Sequence, residues 1–346
     1  MAILSCRLSH RYTDGDAMKF TVTGLDEEDP FVGTVDKDGN IIGALGGTEM
    51  MKDGLFDRLD PELLDKFNII CSRVRDIDED KPNILWLHDT WDDPESQHLR
   101  EDESRKRFSK LVFVSNYQFQ TYHIAHQIPY RESVVLKNAI SPISFEEEDK
   151  ESDVIRLIYH TTPHRGLELL VPVFDHLWND GYEDKLHLDV FSSFNIYGWP
   201  QRDEPYQDLF ERCKEHPGIT YHGSVENSIV REYLKQAHIF AYPNIWPETS
   251  CISVIEAMSA GCAIICPNYA ALPETTGNFA NMYQWNEDPN VNANVFASVL
   301  KILIDKYHDP YHKDKLSIQK IWTDAFYSWD NRIPEWDGLL RGLQNG

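Results

Sequence analysis

Two glutamates, Glu248 and Glu256, stand eight residues apart in the segment YPNIWPETSCISVIEAMSAGCAIICPNYAALPE, residues 242–274. A strand ending near Asn244 runs into a proline-containing loop, and Thr249 and Ser250 are side chains that favour a helix start. The pattern predicts a helix from there to about Ala260, with Gly261 as its C-cap. Eight residues of helix rise about 12 Å. That is on the order of the distance from a sugar ring to a ribose across a diphosphate. The free amides of Thr249, Ser250, Cys251 and Ile252 would lie between the two carboxylates, and helix N-termini hold phosphate through such amides and the dipole. One strand–loop–helix unit could thus offer a carboxylate to each polyol end and donors to the anion between them. Glu256 falls inside an otherwise apolar helix, ISVIEAMSAG, so it needs hydroxyl or cationic partners.

Other residues could join this chemistry. His88 and Asp89 end the apolar run ILWL and face the ligand end of a sheet. Gly46 and Gly47, before Thr48 and Glu49, allow backbone to come close to a phosphate or sugar. Asp14-Gly15-Asp16 and Asp76-Ile77-Asp78 have the form of a D-x-D metal triplet, but neither follows a convincing strand, and no His or Cys spacing supports a metal site. The expectation is no metal and no cofactor. No G-x-G-x-x-G occurs, which weakens a dinucleotide oxidoreductase.

The elements that must carry these residues alternate between short apolar strands and helices. In the first part, strands are expected at 19–24, 67–72, 83–89, 110–116 and 133–139, with helices near 47–59, 101–108 and 117–127. Residues 25–45 read as a long loop or hairpin turning at Asp38-Gly39 or Gly39-Asn40. Ser141-Pro142 and the acidic run EEEDKESD (146–153) read as a linker. The alternation then restarts, with strands at 155–161, 186–192, 219–225, 239–244 and 263–268 and helices near 165–180, 204–216, 226–237, 250–260 and 292–307. Runs such as LVFV and AIIC are apolar on both faces and suit parallel strands covered by helices. The expectation is α/β, with two Rossmann-like domains at 1–142 and 143–310, and a helical tail at 311–346 that caps the second domain or crosses back to the first. The ligand cleft then lies between the carboxyl ends of the two sheets.

The 346 residues include 57 acids and 33 bases, a formal charge of -24. The excess is even: residues 1–150 hold 30 acids and 18 bases, the rest 27 and 15. Such a surface argues against nucleic acid or anionic lipid as a broad partner. No apolar run is long enough to span a membrane, and the first residues lack the form of a signal peptide. The six scattered cysteines form no C-x-x-C pair and no N-x-S/T acceptor occurs, so reduced thiols and a cytoplasmic location are expected.

The segment PETSCISVIEAMSAGCAII, followed by LPE at 272–274, resembles the E-x7-E signature of retaining family-4 (group-1) glycosyltransferases, which have the GT-B fold. GGTE (46–49), WLHD (86–89), PHRGLELL (163–170) and YHGSV (221–225) extend the resemblance over most of the chain, more strongly from about 155 to 275. It implies that Glu248 contacts the donor hexose, that Glu256 binds the ribose hydroxyls and that Arg165, before Gly166, binds the diphosphate. His160 stands where the family often has a second basic residue, with Thr161 and Thr162 beside it; the diphosphate then has one cation plus hydroxyls, or His164 or another base substitutes. Gly223, Ser224 and Val225 fall beside the nucleobase, His88 on the transferred sugar, and Asn138 at a structural or hinge position. The implied activity is transfer of a hexose from a UDP-, GDP- or other NDP-sugar to a glycan or glycolipid-like hydroxyl, with retention and without metal. The alternatives are an inverting transferase of the same fold with His88 or Asp89 as base, a silent nucleotide-sugar-binding protein, and an epimerase of that fold.

Overall fold

The computed structural model describes residues 46–75 and 77–345. The strand expected at 19–24, the loop or hairpin at 25–45, Cys6, Asp14-Gly15-Asp16 and Asp76 lie outside the described residues.

Two wholly parallel sheets form, one in each part of the chain. The first runs β1 (Asn68–Cys71), β2 (Asn83–Leu87), β3 (Lys110–Phe113), β4 (Ser133–Val135), in that order across the sheet. The second contains β5 (Ile155–Tyr159), β6 (Leu186–Val190), β7 (Ile219–Tyr221), β8 (Ile239–Ala241), β9 (Ala263–Pro267) and β10 (Asn281–Tyr283), ordered β10-β9-β8-β5-β6-β7. This is the doubly wound order, in which the direction of strand addition reverses between β5 and β8. All five residues of NILWL and of AIICP are buried, because helices cover both faces of each sheet. The α/β reading with two Rossmann-like sheets holds. β10 is an addition to the expected strands: NMY is three residues with no pattern of its own.

The tail forms the helices Pro310–Phe326 and Trp329–Gln344. The second crosses back to the first sheet. Trp336 is fully buried there with Met51, Leu55 and Trp86, its ring edge-on to Trp86 at 4.8 Å between centroids. The two chain crossings lie side by side: Ile140 N–H donates to Tyr327 O (2.8 Å) and Trp329 N–H to Ile140 O (3.3 Å). The acidic linker is not a free spacer. One 3-10 turn, Glu147–Lys150, is laid on the second body, where the Lys150 ammonium donates to the carbonyls of Ala237 and Leu234.

A carboxylate joins the two bodies directly. Glu274, after β9, accepts from the backbone N–H of Asn116 (2.9 Å), the Asn116 amide (2.8 Å), the backbone N–H of Tyr117 (2.9 Å) and the Lys137 ammonium. The two backbone donors are the N-terminus of the helix Asn116–His126, whose dipole favours an anion. Burial alone raises the Glu274 pKa, but Lys137 and the two amides outweigh it and hold the carboxyl below its ordinary range. A native value below the unfolded one adds stability above the unfolded pKa, and that stability is lost as pH falls through the native value. Glu274→Gln should therefore cost about 1–3 kcal/mol near neutral pH. Urea melts should show the gap between wild type and variant closing in acid. A gap of constant size down to the acid limb would remove Glu274 as the source.

Candidate active site

The reversal between β5 and β8 puts two loops beside each other at the carboxyl ends of those strands. The loop after β5 carries His160 to Arg165, and the loop after β8 carries Tyr242 to Cys251. Their junction is tight. Gly166 has φ +123°, and a Cβ there would lie 2.2 Å from the Pro243 carbonyl oxygen, so only glycine lets the loops meet.

Arg165 and Glu248 converge at this junction. Arg165 Nη1 donates to Glu248 Oε1 at 2.6 Å, and the Tyr242 hydroxyl donates to the same oxygen. Glu248 is 5% exposed. Burial opposes the Arg165 charge, and Glu248 more than restores it, so the guanidinium keeps its proton. Neither histidine of this loop supplies a second cation. Burial pushes His160 down to about 3. His164 is stacked on Phe194 (5.1 Å) and edge-on to Trp246 (4.7 Å), and burial, Arg165 and Arg202 hold it well below the imidazole range. In the unliganded protein His164 therefore carries no charge of its own to offer a diphosphate. Thr162 Oγ1, His164 Nδ1 and Arg165 Nε are buried polar atoms that meet no partner among the described residues. Such atoms are costly unless a ligand or water engages them.

The helix begins later than expected. It spans Ile252–Ser259 with Cys251 as N-cap, rather than starting on Thr249 or Ser250. Those two residues serve the other body instead: the Thr249 hydroxyl donates to His88 O (2.7 Å), and Ser250 O accepts from the Asn138 amide (3.2 Å). The amides without an intrahelical acceptor are therefore those of Ile252, Ser253 and Val254, the first turn. The helical rise between the two glutamates covers only Ile252 to Glu256, about 6 Å, and the loop supplies the rest.

Glu256 has the partners that its burial demands. It is 2% exposed; Arg231 Nη1 donates to Oε1 at 2.7 Å and the Asn227 amide to Oε2 at 3.0 Å. Sequence reading asks for a cation and does not find which one. The signal is present, since Asn227 and Arg231 are four apart on the helix Asn227–Gln236 and so share a face. Sequence reading misses Tyr242 as well.

Arg165, Asn227, Glu248, Ile252, Ser253 and Glu256 line one cleft of about 910 Å³ between the sheets, with Tyr242 and Arg231 behind its wall. The structure brings together every residue singled out from the sequence: Gly46, Gly47, His88, Thr161, Thr162, Arg165, Gly223, Ser224, Val225, Glu248 and the run Thr249, Ser250, Cys251, Ile252, with Glu256. His88 ends β2 opposite Glu248's loop, its ring 4.8 Å from that of Trp86. Burial pushes it down to about 3, so it is neutral. Asp89 beside it is pushed up to about 6 by burial and by Asp93, against Arg73 and Ser72. The glycine pair is used in a way that sequence reading does not foresee. A Cβ on Gly46 would lie 2.3 Å from the ring of Tyr197, and one on Gly47 would lie 3.0 Å from Ile252 Cδ1, so both glycines receive side chains of the second body. Asn138, read as structural or as a hinge, lies in the cleft lining, where its amide donates to Ser250 O of the second body.

Among the described residues no three His, Cys, Asp or Glu gather as a metal site, no helix is long and apolar enough to cross a membrane, and the five described cysteines are free.

Comparison with known proteins gives consistent findings. The model of the glycosyl transferases group 1 family matches residues 142–314. An O-antigen chain mannosyltransferase B of Escherichia coli is 28% identical over 134 residues, 39% of this chain and 32% of that protein. The chain thus matches about a third of that relative's length. Among solved structures, a glycosyltransferase from Rickettsia africae ESF-5 superposes with TM-score 0.62 at 15% identity, over 80% of this chain and 77% of that one. Anabaena HepE, crystallised with UDP and glucose, superposes with TM-score 0.58 at 13% identity, over 76% of this chain and 72% of that one. At these identities the likeness speaks for the fold, two Rossmann-like sheets across a cleft in the GT-B manner.

Proposed function

The chain belongs to the glycosyl transferases group 1 family, and on that footing we propose that it moves a hexose from a nucleoside-diphosphate sugar to a hydroxyl of a glycan or glycolipid-like acceptor, with retention and without a metal. The observation that carries this reading is the convergence of Arg165 and Glu248 at the β5/β8 reversal, facing His88 across the cleft. Ligands of doubly wound sheets bind at such a point.

Breaking the bond between the anomeric carbon and the phosphate oxygen puts positive charge on the sugar and negative charge on the departing diphosphate. Arg165, the Thr162 hydroxyl and the amides of Ile252 and Ser253 take up the negative charge. Glu248 and His88 hold the hexose from opposite walls. Being neutral, His88 donates or accepts a hydrogen bond without adding repulsion to the forming cation. The acceptor oxygen bonds the anomeric carbon on the face the phosphate leaves, and the acceptor proton passes to the departing phosphate oxygen. Glu256 receives the ribose hydroxyls, and Gly223, Ser224 and Val225 flank the base. The relative's mannosyltransferase name and the UDP and glucose in HepE support a sugar nucleotide as donor. The free cysteines suit a cytoplasmic setting.

A ligand that binds only the folded protein raises its melting point. A thermal-shift series with UDP-, GDP-, ADP- and TDP-sugars should therefore give one responding nucleotide, and no response to any would overturn the donor reading. One observation favours a second mechanism. Asp89, at about 6, has the proton affinity of a general base, as an inverting transferase requires. NMR of the product's anomeric proton separates the two: the donor's configuration supports the phosphate-assisted route, the opposite one supports Asp89.

A further inference from the structure

We infer that Arg231, seconded by Asn227, shapes Glu256 into a receptor for a vicinal diol and so sets the preference for ribonucleotide over deoxyribonucleotide donors. The inference rests on the proposed role of Glu256 and names the residues through which that role is exerted.

A carboxylate has about four acceptor positions, two on each oxygen. Arg231 Nη1 occupies one on Oε1 at 2.7 Å, and the Asn227 amide one on Oε2 at 3.0 Å. One position is left on each oxygen, which is the pattern that two neighbouring hydroxyls fill. The guanidinium is fixed before any ligand arrives, because Arg231 Nη2 donates to Ser141 O at 2.7 Å, with Pro142 O at 3.4 Å. Glu256 is thus held from one side by a residue anchored to the chain crossing between the two bodies. Arginine suits this position because its planar fork serves two acceptors in different directions and it stays charged.

The same helix links this clamp to the base. Asn227–Gln236 starts two residues after Val225, and Asn227 lines the cleft together with Gly223, Ser224 and Val225. Base and ribose are therefore positioned by one element. A 2′-deoxy sugar supplies one hydroxyl to a carboxylate that presents two open positions, and the buried oxygen left over is costly. Arg231 does not touch the ligand in this arrangement. It is a positioning residue that acts through Glu256.

The test measures dissociation constants by calorimetry for UDP against 2′-deoxy-UDP and for GDP against 2′-deoxy-GDP. The proteins are wild type, Arg231→Ala, Arg231→Lys, Asn227→Ala and Glu256→Gln. A charge-assisted hydrogen bond predicts a ribose preference of about 10- to 100-fold in wild type, falling to within about threefold in Arg231→Ala and Glu256→Gln. Affinity for the deoxy form should hardly move. Arg231→Lys keeps a charge without the fork and should fall between. Equal weakening of both nucleotides in Arg231→Ala would mean a structural clamp only and overturns the inference, as does an unchanged ratio. If Arg231→Ala does not fold, Asn227→Ala decides: a reduced ratio supports the inference and a full ratio overturns it. Wild type that binds neither pair is measured with ADP against 2′-deoxy-ADP, and wild type that binds none of the three, or that binds ribo and deoxy forms alike, removes the reading of Glu256 itself. Discrimination lost in Glu256→Gln but kept in the Arg231 and Asn227 variants overturns this inference alone.

Discussion

Glu248→Gln is expected to remove sugar transfer while leaving nucleoside-diphosphate binding equal or tighter. The two halves of this result have separate causes. In the unliganded protein the Arg165 guanidinium is bound to Glu248 Oε1 at 2.6 Å, so the cation that should meet the diphosphate is partly neutralised by its neighbour. Removing the carboxylate charge frees Arg165 and removes a repulsion, and a nucleoside diphosphate gains affinity or keeps it. Transfer depends on a hexose held in register, and a small misplacement of the reacting atoms costs about 10²-fold or more. Glutamine retains the shape of the side chain, and its one carbonyl oxygen can still accept from both Arg165 and Tyr242, but the other oxygen becomes an uncharged amide donor, so the carboxylate at the sugar is lost. Calorimetry with the nucleotide and chromatographic assay of the transferred sugar read the two halves independently. Full transfer by Glu248→Gln would sink the assignment, whatever the nucleotide does.

Trp336→Ala should destabilise the protein by about 3–5 kcal/mol, the range for deleting a large buried aromatic. Trp336 is fully buried in the first core, edge-on to Trp86 at 4.8 Å and packed near Met51, Leu55 and Leu340. Its indole N–H has no hydrogen-bond partner among the described residues, so the loss is one of packing and not of an orphaned acceptor. Trp336→Phe, which keeps an aromatic ring, should cost clearly less. The damage should be local: amide exchange should accelerate in β1, β2 and β3 before it does in β5, β8 and β9, since the second body has its own core. Uniform acceleration over both sheets, or a loss below about 1 kcal/mol, would contradict a dominant packing role for Trp336.

The strands are legible where burial on both faces leaves a mark. NILWL, KLVF, IRLIY and AIICP are too apolar to be anything exposed, and the expected starts at 83, 110, 155 and 263 hold, but each strand ends one to three residues earlier than expected, where the chain turns into the cleft loops. β10 escapes because NMY is an edge strand of three residues with only Tyr283 buried. The glutamate pair is legible because Glu256 sits among apolar neighbours. Its partner Arg231 is not, because that pairing requires the helices Asn227–Gln236 and Ile252–Ser259 to pack side by side, and sequence separation says nothing of that. Thr249 and Ser250 mislead for an instructive reason. They are good caps by type, yet the Thr249 hydroxyl and the Ser250 carbonyl are engaged across the cleft by His88 and Asn138, and Cys251 takes the N-cap position without a side-chain bond. Tertiary contact overrides a local preference. The charge states of His160 and His164 are equally invisible in the sequence, since they depend on burial.

The return of the last helix to the first core has a consequence for biosynthesis. A ribosome releases β1 to β4 early, but Trp336 and Leu340 emerge only after the whole second body has been made. Domains commonly fold as units while synthesis proceeds, the leading one first. Here the trailing body can close its core on its own, whereas the leading one waits with Trp86 and Leu55 unfilled. The face of the leading sheet that carries Trp86 should therefore stay open until the tail is made, while its other face, with Leu85, Phe113 and Tyr122, closes early.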